Sequence, residues 1–212
     1  MEFELTHFSV YAVAYEEPVC PKDATCPIAQ FSDTAVDFWW HDGIHFCLEN
    51  GLMNGVGGSE FDPTGTTSRA MVATILWRIA GSPVVNYQIS FTDVEDGKWY
   101  TEAIRWASAV GIITGYPDGT FQPAKDVTRE ELATILYRAD AALGNDVSVD
   151  ENTNFLSFED FWDVNEYAKP AMTWALDRGV VQGKTGGVID PQGTATRAET
   201  ATMFMRFCGL AK

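Results

Sequence analysis

Four short sequence blocks occur in the same order three times, and this limits the fold of the chain more than any other feature. A Phe-x-Asp block, a Gly-x-x-x-Gly block, a block ending in Pro and a Thr/Ser-Arg block follow one another in each copy. The arginines of the last block, Arg69, Arg129 and Arg197, lie 60 and 68 residues apart. Self-similarity of this kind is typical of repeat architectures. The sequence therefore predicts three copies of one structural unit, at residues 31–84, 91–144 and 158–209.

Each copy is predicted to be two helices joined by a loop. In the second copy the first helix carries an apolar stripe at helical spacing, formed by Ala103, Trp106, Ala107 and Val110, and Gly111 supplies a left-handed C-terminal cap. The second helix of a copy begins at its Thr/Ser-Arg block. Thr128 with Glu131 and Thr196 with Glu199 have the spacing of a capping box, whereas the first copy has Ser68 followed by Met71. The fold class is therefore all-α, a pseudo-threefold bundle of helix-loop-helix repeats.

The first 30 residues lie outside the repeats. Residues 5–13 alternate apolar and polar positions and are rich in β-branched and aromatic side chains, which predicts a strand. A single strand is not stable alone, so we expect it to belong to a preceding β domain, followed by a linker. Cys20 and Cys26 enclose five residues of this linker, and we predict a disulfide between them and hence an oxidising compartment. Cys47 and Cys208 fall on apolar helix faces and are expected to be buried.

The charge of the chain excludes two classes of partner. The formal net charge is −16, from 30 acidic and 14 basic residues. Nucleic acids require clustered Lys and Arg, and anionic membrane surfaces attract basic segments, so neither is an expected partner. No stretch reaches the roughly 18 apolar residues that a membrane-spanning helix needs. We expect a monomer, because a strong net charge opposes self-association.

The repeats resemble the S-layer homology domain. The resemblance is carried by Phe91-Thr92-Asp93-Val94, Trp99-Tyr100, the run from Gly111 to Phe121 and Thr128-Arg129-Glu130-Glu131. It covers roughly residues 31–209, and three ordered copies are the usual set of that family. It implies a helical spindle in which one helix of each repeat joins a central bundle and the others project as prongs. It also implies an extracellular anchor that binds secondary cell-wall polysaccharide, often through pyruvylated N-acetylmannosamine end groups, or a peptidoglycan-linked glycan, in grooves between repeats.

The candidate ligand-binding residues follow from the repeated positions. Arg69, Arg129 and Arg197 each come directly after a helix N-cap, where backbone N–H groups already favour an anion and a guanidinium can grip a carboxylate. Asp33, Asp93 and Asp160 are candidates for bonding sugar hydroxyls, and Trp39 and Trp99 for offering ring faces. The loop residues Tyr116, Asp118 and Gly119 complete the predicted site; Pro117-Asp118-Gly119 is a turn whose residue types suit the backbone angles required. The repeats differ at these positions, so we do not expect three equal grooves.

Other functions are weaker interpretations of the same residues. His41 and His45 have the i, i+4 spacing of a metal pair, but Gly43 lies between them and the expected state is a solvated helix face. A zinc site at Cys20 and Cys26 is disfavoured because the sequence gives no nearby second pair of ligands. Asp118 is alone in its loop, which argues against calcium. No nucleophile elbow or phosphate loop indicates an enzyme, and no cofactor is expected. A structural protein–protein interaction module without glycan binding remains the alternative.

Overall fold

The chain is described by a computed structural model that covers residues 20, 22–86, 88–149 and 157–210. The predicted N-terminal strand lies outside these described residues. Within them the chain forms six α-helices, α1 (His41–Glu49), α2 (Arg69–Ile79), α3 (Thr101–Ala109), α4 (Arg129–Ala142), α5 (Lys169–Asp177) and α6 (Arg197–Gly209), and short 3-10 helices at Pro27–Gln30 and Phe161–Asp163. The β-type pairing seen within the same residues is limited to isolated bridges. The predicted all-α class is confirmed.

The helix ends follow the local sequence signals. The side chains of Thr128 and Thr196 accept hydrogen bonds from the N–H groups of Glu131 and Glu199, and each glutamate bonds back to the threonine N–H. Ser68 accepts from the N–H of Met71 but receives no return bond, because methionine has no carboxylate. Gly111 has a φ of 74°, the left-handed conformation that ends α3 without steric cost.

The helices pair between repeats in a cycle. We call α1, α3 and α5 the first helices and α2, α4 and α6 the second helices, according to their order in each repeat. The first helix α3 packs against α2 of the preceding repeat, and α5 packs against α4. The cycle is closed by α1, which packs against α6 at the far end of the sequence. Each repeat therefore completes its packing against another repeat.

A ring of backbone hydrogen bonds lies where the three second helices begin. The Thr67 N–H donates to the Ala195 carbonyl at 3.0 Å, the Ala195 N–H donates to the Val127 carbonyl at 2.9 Å, and the Val127 N–H returns to the Thr67 carbonyl at 2.9 Å. All three residues are fully buried. Paired in this way, buried backbone groups avoid the cost of an unsatisfied hydrogen-bonding group. The ring ties the three repeats together at their centre.

The structure corrects one prediction about the first repeat and leaves another as a prediction. Cys20 and Cys26 carry free thiols in the structure, and a disulfide between them stays a prediction of the sequence. His41 and His45 do not lie on a solvated helix face, since they are 2% and 5% exposed. The reason is that the linker before α1 folds over this helix, with the 3-10 helix Pro27–Gln30 packed against α1. Cys47 and Cys208 are buried, as predicted.

The contact between α1 and α6 depends on Gly43. A Cβ atom at this position would lie 2.7 Å from the Cα and N atoms of Thr202, which is closer than real Cβ contacts allow. The corresponding positions of the other repeats hold Ala103 and Ala171. The helices α1 and α6 therefore lie so close together at Gly43 that a side chain at this position would collide with the backbone of α6.

Gly43→Ala should weaken the closure of the bundle. The added methyl group must push α1 away from the backbone of α6, and overpacking of this kind costs about 1–3 kcal/mol. We expect the free energy of unfolding in urea to fall by that amount, although alanine is the better helix former. Gly209→Ala is the matched control, because its Cβ would contact nothing; the control should retain or slightly gain stability. An equal effect of both substitutions would contradict the close contact.

Candidate functional site

The three repeated arginines lie at the junctions between repeats and are almost fully buried. Arg69, Arg129 and Arg197 are 6%, 4% and 5% exposed. Each guanidinium donates to two backbone carbonyls of another repeat: Arg69 to Phe121 and Thr114, Arg129 to Ile189 and Gln182, and Arg197 to Phe61 and Asn54. The donor–acceptor distances are between 2.7 and 3.1 Å. The arginines therefore join each second helix to the loop of another repeat.

The arginines remain cations in spite of this burial. Burial lowers the pKa of Arg129 from its ordinary value, and the carboxylate of Glu199 nearby acts in the opposite direction. An arginine starts from a pKa so high that it stays charged in proteins. Each junction therefore contains a fixed positive charge that is partly neutralised by carbonyl dipoles.

The three predicted aspartates hold the loop of their own repeat. Both carboxylate oxygens of Asp93 accept backbone hydrogen bonds, from the N–H groups of Phe121 and Gln122 at 2.7 Å. Asp33 and Asp160 make the corresponding pairs of bonds in the other repeats. Gln122 has a φ of 58°, an uncommon conformation for a residue other than glycine. The carboxylates thus stabilise this loop conformation, a role that the sequence analysis did not give them.

The predicted aromatic and loop residues are distributed over different surfaces. Trp39 and Trp99 are 61% and 60% exposed, so their ring faces are accessible. The Tyr116 ring covers the Arg69 guanidinium, with 4.8 Å between the guanidinium carbon and the ring centroid. Asp118 lies at the exposed tip of the loop, where its Oδ1 accepts from the Thr120 N–H and hydroxyl. Gly119 follows with a φ of 81° and completes the turn.

One groove brings together residues of all three repeats. It has a volume of about 480 Å³ and is lined by Trp39, Arg129, residues 182–185, Glu199, Thr202, Met203 and Arg206. We call it the Arg129 groove. Arg129 comes from the second repeat, Trp39 precedes α1 of the first, and the remaining residues belong to the third. Cavities of roughly 300–1,000 Å³ are typical of small-ligand sites, so this groove is large enough for one or two sugar units.

The Arg129 groove is positively charged. The Lys184 ammonium lies 2.9 Å from Oε1 of Glu199 and 2.7 Å from Oδ2 of Asp190 behind it. Arg129 contacts the same Glu199 oxygen at 3.2 Å. Arg206 donates to the side-chain amide oxygen of Gln182. Three cations therefore line the groove together with one carboxylate, in a chain whose total charge is strongly negative.

Two pKa shifts reflect this crowding of charge. Burial lowers the pKa of Arg206, and the neighbouring guanidinium of Arg129 lowers it further. Burial opposes the ionisation of Glu199, but the hydrogen bonds from the Thr196 N–H and Lys184 outweigh it, and the pKa of Glu199 is lowered. Arg129 already has the Glu199 carboxylate beside it, whereas Arg206 donates to the neutral amide oxygen of Gln182. A further anion near Arg206 would therefore reduce the repulsion between the two guanidinium groups. The groove is thus suited electrostatically to a carboxylate or another small anion.

Three charged residues of this groove, Lys184, Glu199 and Arg206, were not among the candidate ligand-binding residues predicted from the sequence. Lys184 stands in the loop where the second repeat has Tyr116 and the first has Val56. Arg206 recurs as Arg78 and Arg138, each nine residues after the arginine that begins its helix, and this recurrence alone does not indicate a binding role. Glu199 was identified only as a helix cap. The sequence did contain one indication of this site. The loop position that holds Tyr116 in the second repeat holds Lys184 in the third, and the helix that follows carries Arg206.

The corresponding residues of the other junctions differ in chemistry. At the Arg69 junction, Lys125 bonds both the Tyr116 hydroxyl and Glu131, and the Tyr167 hydroxyl donates to Glu130. At the Arg197 junction, Met71 replaces the glutamate, and its sulfur lies 4.0 Å from the arginine. The three junctions share a scaffold of arginine and carbonyls but present different side chains to solvent.

Comparison with known proteins agrees with this architecture. The family model of the S-layer homology domain matches residues 31–71, 90–133 and 160–201, which together exceed half of the chain. The chain belongs to the S-layer homology family. This membership places it at the cell wall of a bacterium, outside the cell, as a binding and anchoring module. Among the described residues, no helix is long and apolar enough to cross a membrane.

Several relatives are much longer proteins. An amylopullulanase of Thermoanaerobacterium thermosulfurigenes is 33% identical over 202 residues, which are 95% of this chain and 10% of that protein. The cellulosome-anchoring protein of Acetivibrio thermocellus is 30% identical over 160 residues, 73% of this chain and 35% of that protein. An S-layer protein of Bacillus thuringiensis subsp. finitimus is 30% identical over 175 residues, 81% of this chain and 20% of that protein. The chain therefore spans about a tenth to a third of the length of these relatives.

Arg129→Ala should destabilise the fold. It leaves the carbonyls of Ile189 and Gln182 without their donor, and each unsatisfied buried group costs about 1–3 kcal/mol. We expect the free energy of unfolding to fall by about 2–5 kcal/mol in urea titrations. Arg138→Ala, at an exposed position of the same helix, is the control and should change stability by less than about 0.5 kcal/mol. Equal stability of the two variants would refute the junction role.

Acid should destabilise the third repeat through its carboxylates. The pKa values of Asp190 and Glu199 are lowered in the folded chain, mainly by Lys184 for the first and by backbone and lysine hydrogen bonds for the second. Their contribution to stability is therefore complete above the unfolded values of about 4 and is lost as the pH falls through the lower folded values. We expect the thermal midpoint to decrease between about pH 5 and pH 2.

Lys184→Met tests the origin of this acid sensitivity. Without the lysine, both pKa values move toward their ordinary values, so the variant should lose less stability than the parent over the same pH range. Lys98→Met is the matched control, since Lys98 forms an ion pair with the exposed Glu95, away from Asp190 and Glu199 in the third repeat. If the two methionine variants show the same pH dependence as the parent, Lys184 does not cause the shift.

Proposed function

We propose that the chain attaches its protein to the bacterial cell wall by binding an anionic sugar unit of secondary cell-wall polysaccharide in the Arg129 groove. A pyruvylated N-acetylmannosamine end group has the required chemistry, because its ketal carries a carboxylate on a compact polar ring. The groove would act as a binding site, without catalysis and without a cofactor.

The charge of the groove carries this proposal. Arg129, Lys184 and Arg206 converge on a space lined by the single carboxylate of Glu199. A carboxylate ligand relieves the repulsion between the two guanidinium groups, which are already partly withdrawn from water. Interactions of this kind are stronger than exposed ion pairs, because the groups are less screened by solvent. The groove is therefore more favourable for an anion than the acidic surface around it.

The exposed Trp39 ring supplies the second part of the recognition. It lines the groove from a position two residues before α1, the helix that packs against α6. Sugar rings present C–H groups on one face, and these pack well against an aromatic surface. An aromatic face beside the three cationic side chains of the groove favours a negatively charged sugar over a simple inorganic anion.

The comparisons support attachment to the wall. The related proteins of Acetivibrio thermocellus and Bacillus thuringiensis are named as a cellulosome-anchoring protein and an S-layer protein, and their matched segments are similar to this chain. Such names fit a module that holds different cargo at the cell surface. A protein–protein contact made through the same groove is the alternative, which the following experiment separates.

The chain should sediment with purified cell walls that retain their secondary polysaccharide. We expect Trp39→Ala and Arg206→Ala each to weaken binding about tenfold or more, which corresponds to ~1.4 kcal/mol. Arg206 makes its hydrogen bond to a side chain and Trp39 is exposed, so neither change should unfold the chain. Binding isotherms with intact walls provide the measurement.

Two control variants and two wall preparations make the result specific. Trp162→Ala removes another exposed tryptophan, which is not among the residues that line the groove, and Arg138→Ala removes an exposed arginine of α4. Both should bind as the parent does. Walls stripped of polysaccharide, and walls from which only the pyruvyl ketal has been hydrolysed, should bind poorly. Unchanged binding to stripped walls would favour the protein-interaction alternative, and unchanged binding after ketal hydrolysis would exclude the pyruvyl group as the determinant.

A further inference from the structure

The linker and α1 bring together four side chains that the glycan groove does not use. Cys20 and Cys26 come from the linker, and His41 and His45 come from successive turns of α1. One ligand atom of each side chain can be chosen so that all four lie within 4.8 Å of one another. Cys26 and both histidines are almost completely buried. Two thiols and two imidazoles thus converge in a small space at one end of the first repeat.

The distances are close to those around a tetrahedral metal. The Cys26 sulfur lies 3.4 Å from Nε2 of His41 and 3.4 Å from Nδ1 of His45. A zinc ion with bonds of about 2.0–2.3 Å separates its ligand atoms by roughly 3.3–3.8 Å. The cluster therefore needs to contract by only about 1 Å at its widest point to surround an ion.

The imidazole nitrogens that face away from the cluster have carboxylate neighbours. Nδ1 of His41 lies 2.7 Å from Oδ1 of Asp42, and Nε2 of His45 lies 3.4 Å from Oε2 of Glu49. A histidine that binds a metal usually donates its other N–H to a carboxylate, which fixes the tautomer and orients the ring. In addition, the Lys22 N–H points to the Cys20 sulfur at 3.4 Å. Three of the four side chains thus already have an outer partner.

The histidines are not required by the repeat architecture. The positions of His41 and His45 correspond to Thr101 and Arg105 in α3, and to Lys169 and Thr173 in α5. Arg105 lies near Asp96 and Glu102, and the Thr101 hydroxyl donates to the Glu95 carbonyl. Only the first repeat has a cysteine-bearing linker against this helix face. The cluster is therefore an addition to the first repeat and not a by-product of helix packing.

We propose that Cys20, Cys26, His41 and His45 bind one zinc ion in a structural Cys2His2 site. Two thiolates and two imidazoles form the ligand set that favours zinc over harder cations such as calcium and magnesium. Four protein ligands fill the tetrahedron and leave no open position for a substrate water, so the ion is structural and not catalytic. Both thiols release their protons when the ion binds.

The zinc ion would fasten the linker to the bundle. The ligands join residues 20–26 to α1, and α1 in turn packs against α6. The free energy of metal binding then contributes to the stability of the first repeat.

Cobalt binding tests the site directly. The full 212-residue chain, reduced and freed of metal, should bind one equivalent of Co²⁺ and give the intense visible bands of tetrahedral cobalt and a thiolate charge-transfer band. One equivalent of Zn²⁺ should abolish these bands. Cys26→Ser and His45→Gln should lose the charge-transfer intensity or the tetrahedral spectrum, whereas Cys208→Ala, which removes a thiol in α6, should behave as the parent does.

A second measurement on the unaltered chain remains informative if a variant fails to fold. Zinc should protect Cys20 and Cys26 from alkylation, as read by peptide mass spectrometry, and should raise the thermal midpoint relative to the chelated protein. Absence of a tetrahedral spectrum in the reduced parent, or the same spectrum in Cys26→Ser, would overturn the proposal. So would a Cys20–Cys26 disulfide that, once reduced, binds no zinc. None of these outcomes depends on glycan binding.

Discussion

The closed ring of backbone hydrogen bonds among Thr67, Val127 and Ala195 is the contact on which the remaining structure depends. It fixes where the three second helices begin, and the N–H groups that start each helix are satisfied by loop carbonyls of another repeat. The Arg69 N–H, for example, donates to the Lys125 carbonyl. The arginine side chains reinforce the same junctions by bonding further carbonyls. Helix start, loop conformation and junction are therefore one connected network, in which each second helix begins on hydrogen bonds to another repeat.

This network separates the scaffold from the site. The arginines and aspartates that recur in every repeat form hydrogen bonds mainly with backbone groups. Their recurrence is therefore explained by their role in the fold. Differences in ligand chemistry come from side chains at the edge of each junction, such as Lys184, Tyr116 and Val56 at one equivalent loop position. An arginine such as Arg129 belongs to both categories, because it holds two carbonyls and also lines the groove. A loss of binding after its removal would for that reason be difficult to interpret.

Much of the fold followed from the sequence because its signals are local. The capping boxes at Thr128 and Thr196 and the left-handed Gly111 depend only on residues within one turn, and they were predicted correctly. The burial of Arg69 did not follow, since it depends on carbonyls some 50 residues away in sequence. The Cys2His2 cluster was missed for a different reason. Fourteen residues separate Cys26 from His41, and three separate the histidines, a spacing compatible with zinc sites. Because His41 and His45 were expected to face solvent, the two histidines were not connected with the cysteines of the linker.

The contact between α1 and α6 has a consequence for how many repeats such an assembly can hold. In a linear solenoid each unit touches only its neighbours, so units can be added or removed at either end. Here the last helix, α6, packs against the first, α1, so each of the three repeats contacts both of the others. A two-repeat version would leave a junction open, and a fourth unit would find no free partner. The number three is thus a geometric property of the closure at Gly43 and Thr202, comparable to the fixed subunit number of a cyclic oligomer. Within one polypeptide it makes the assembly independent of protein concentration.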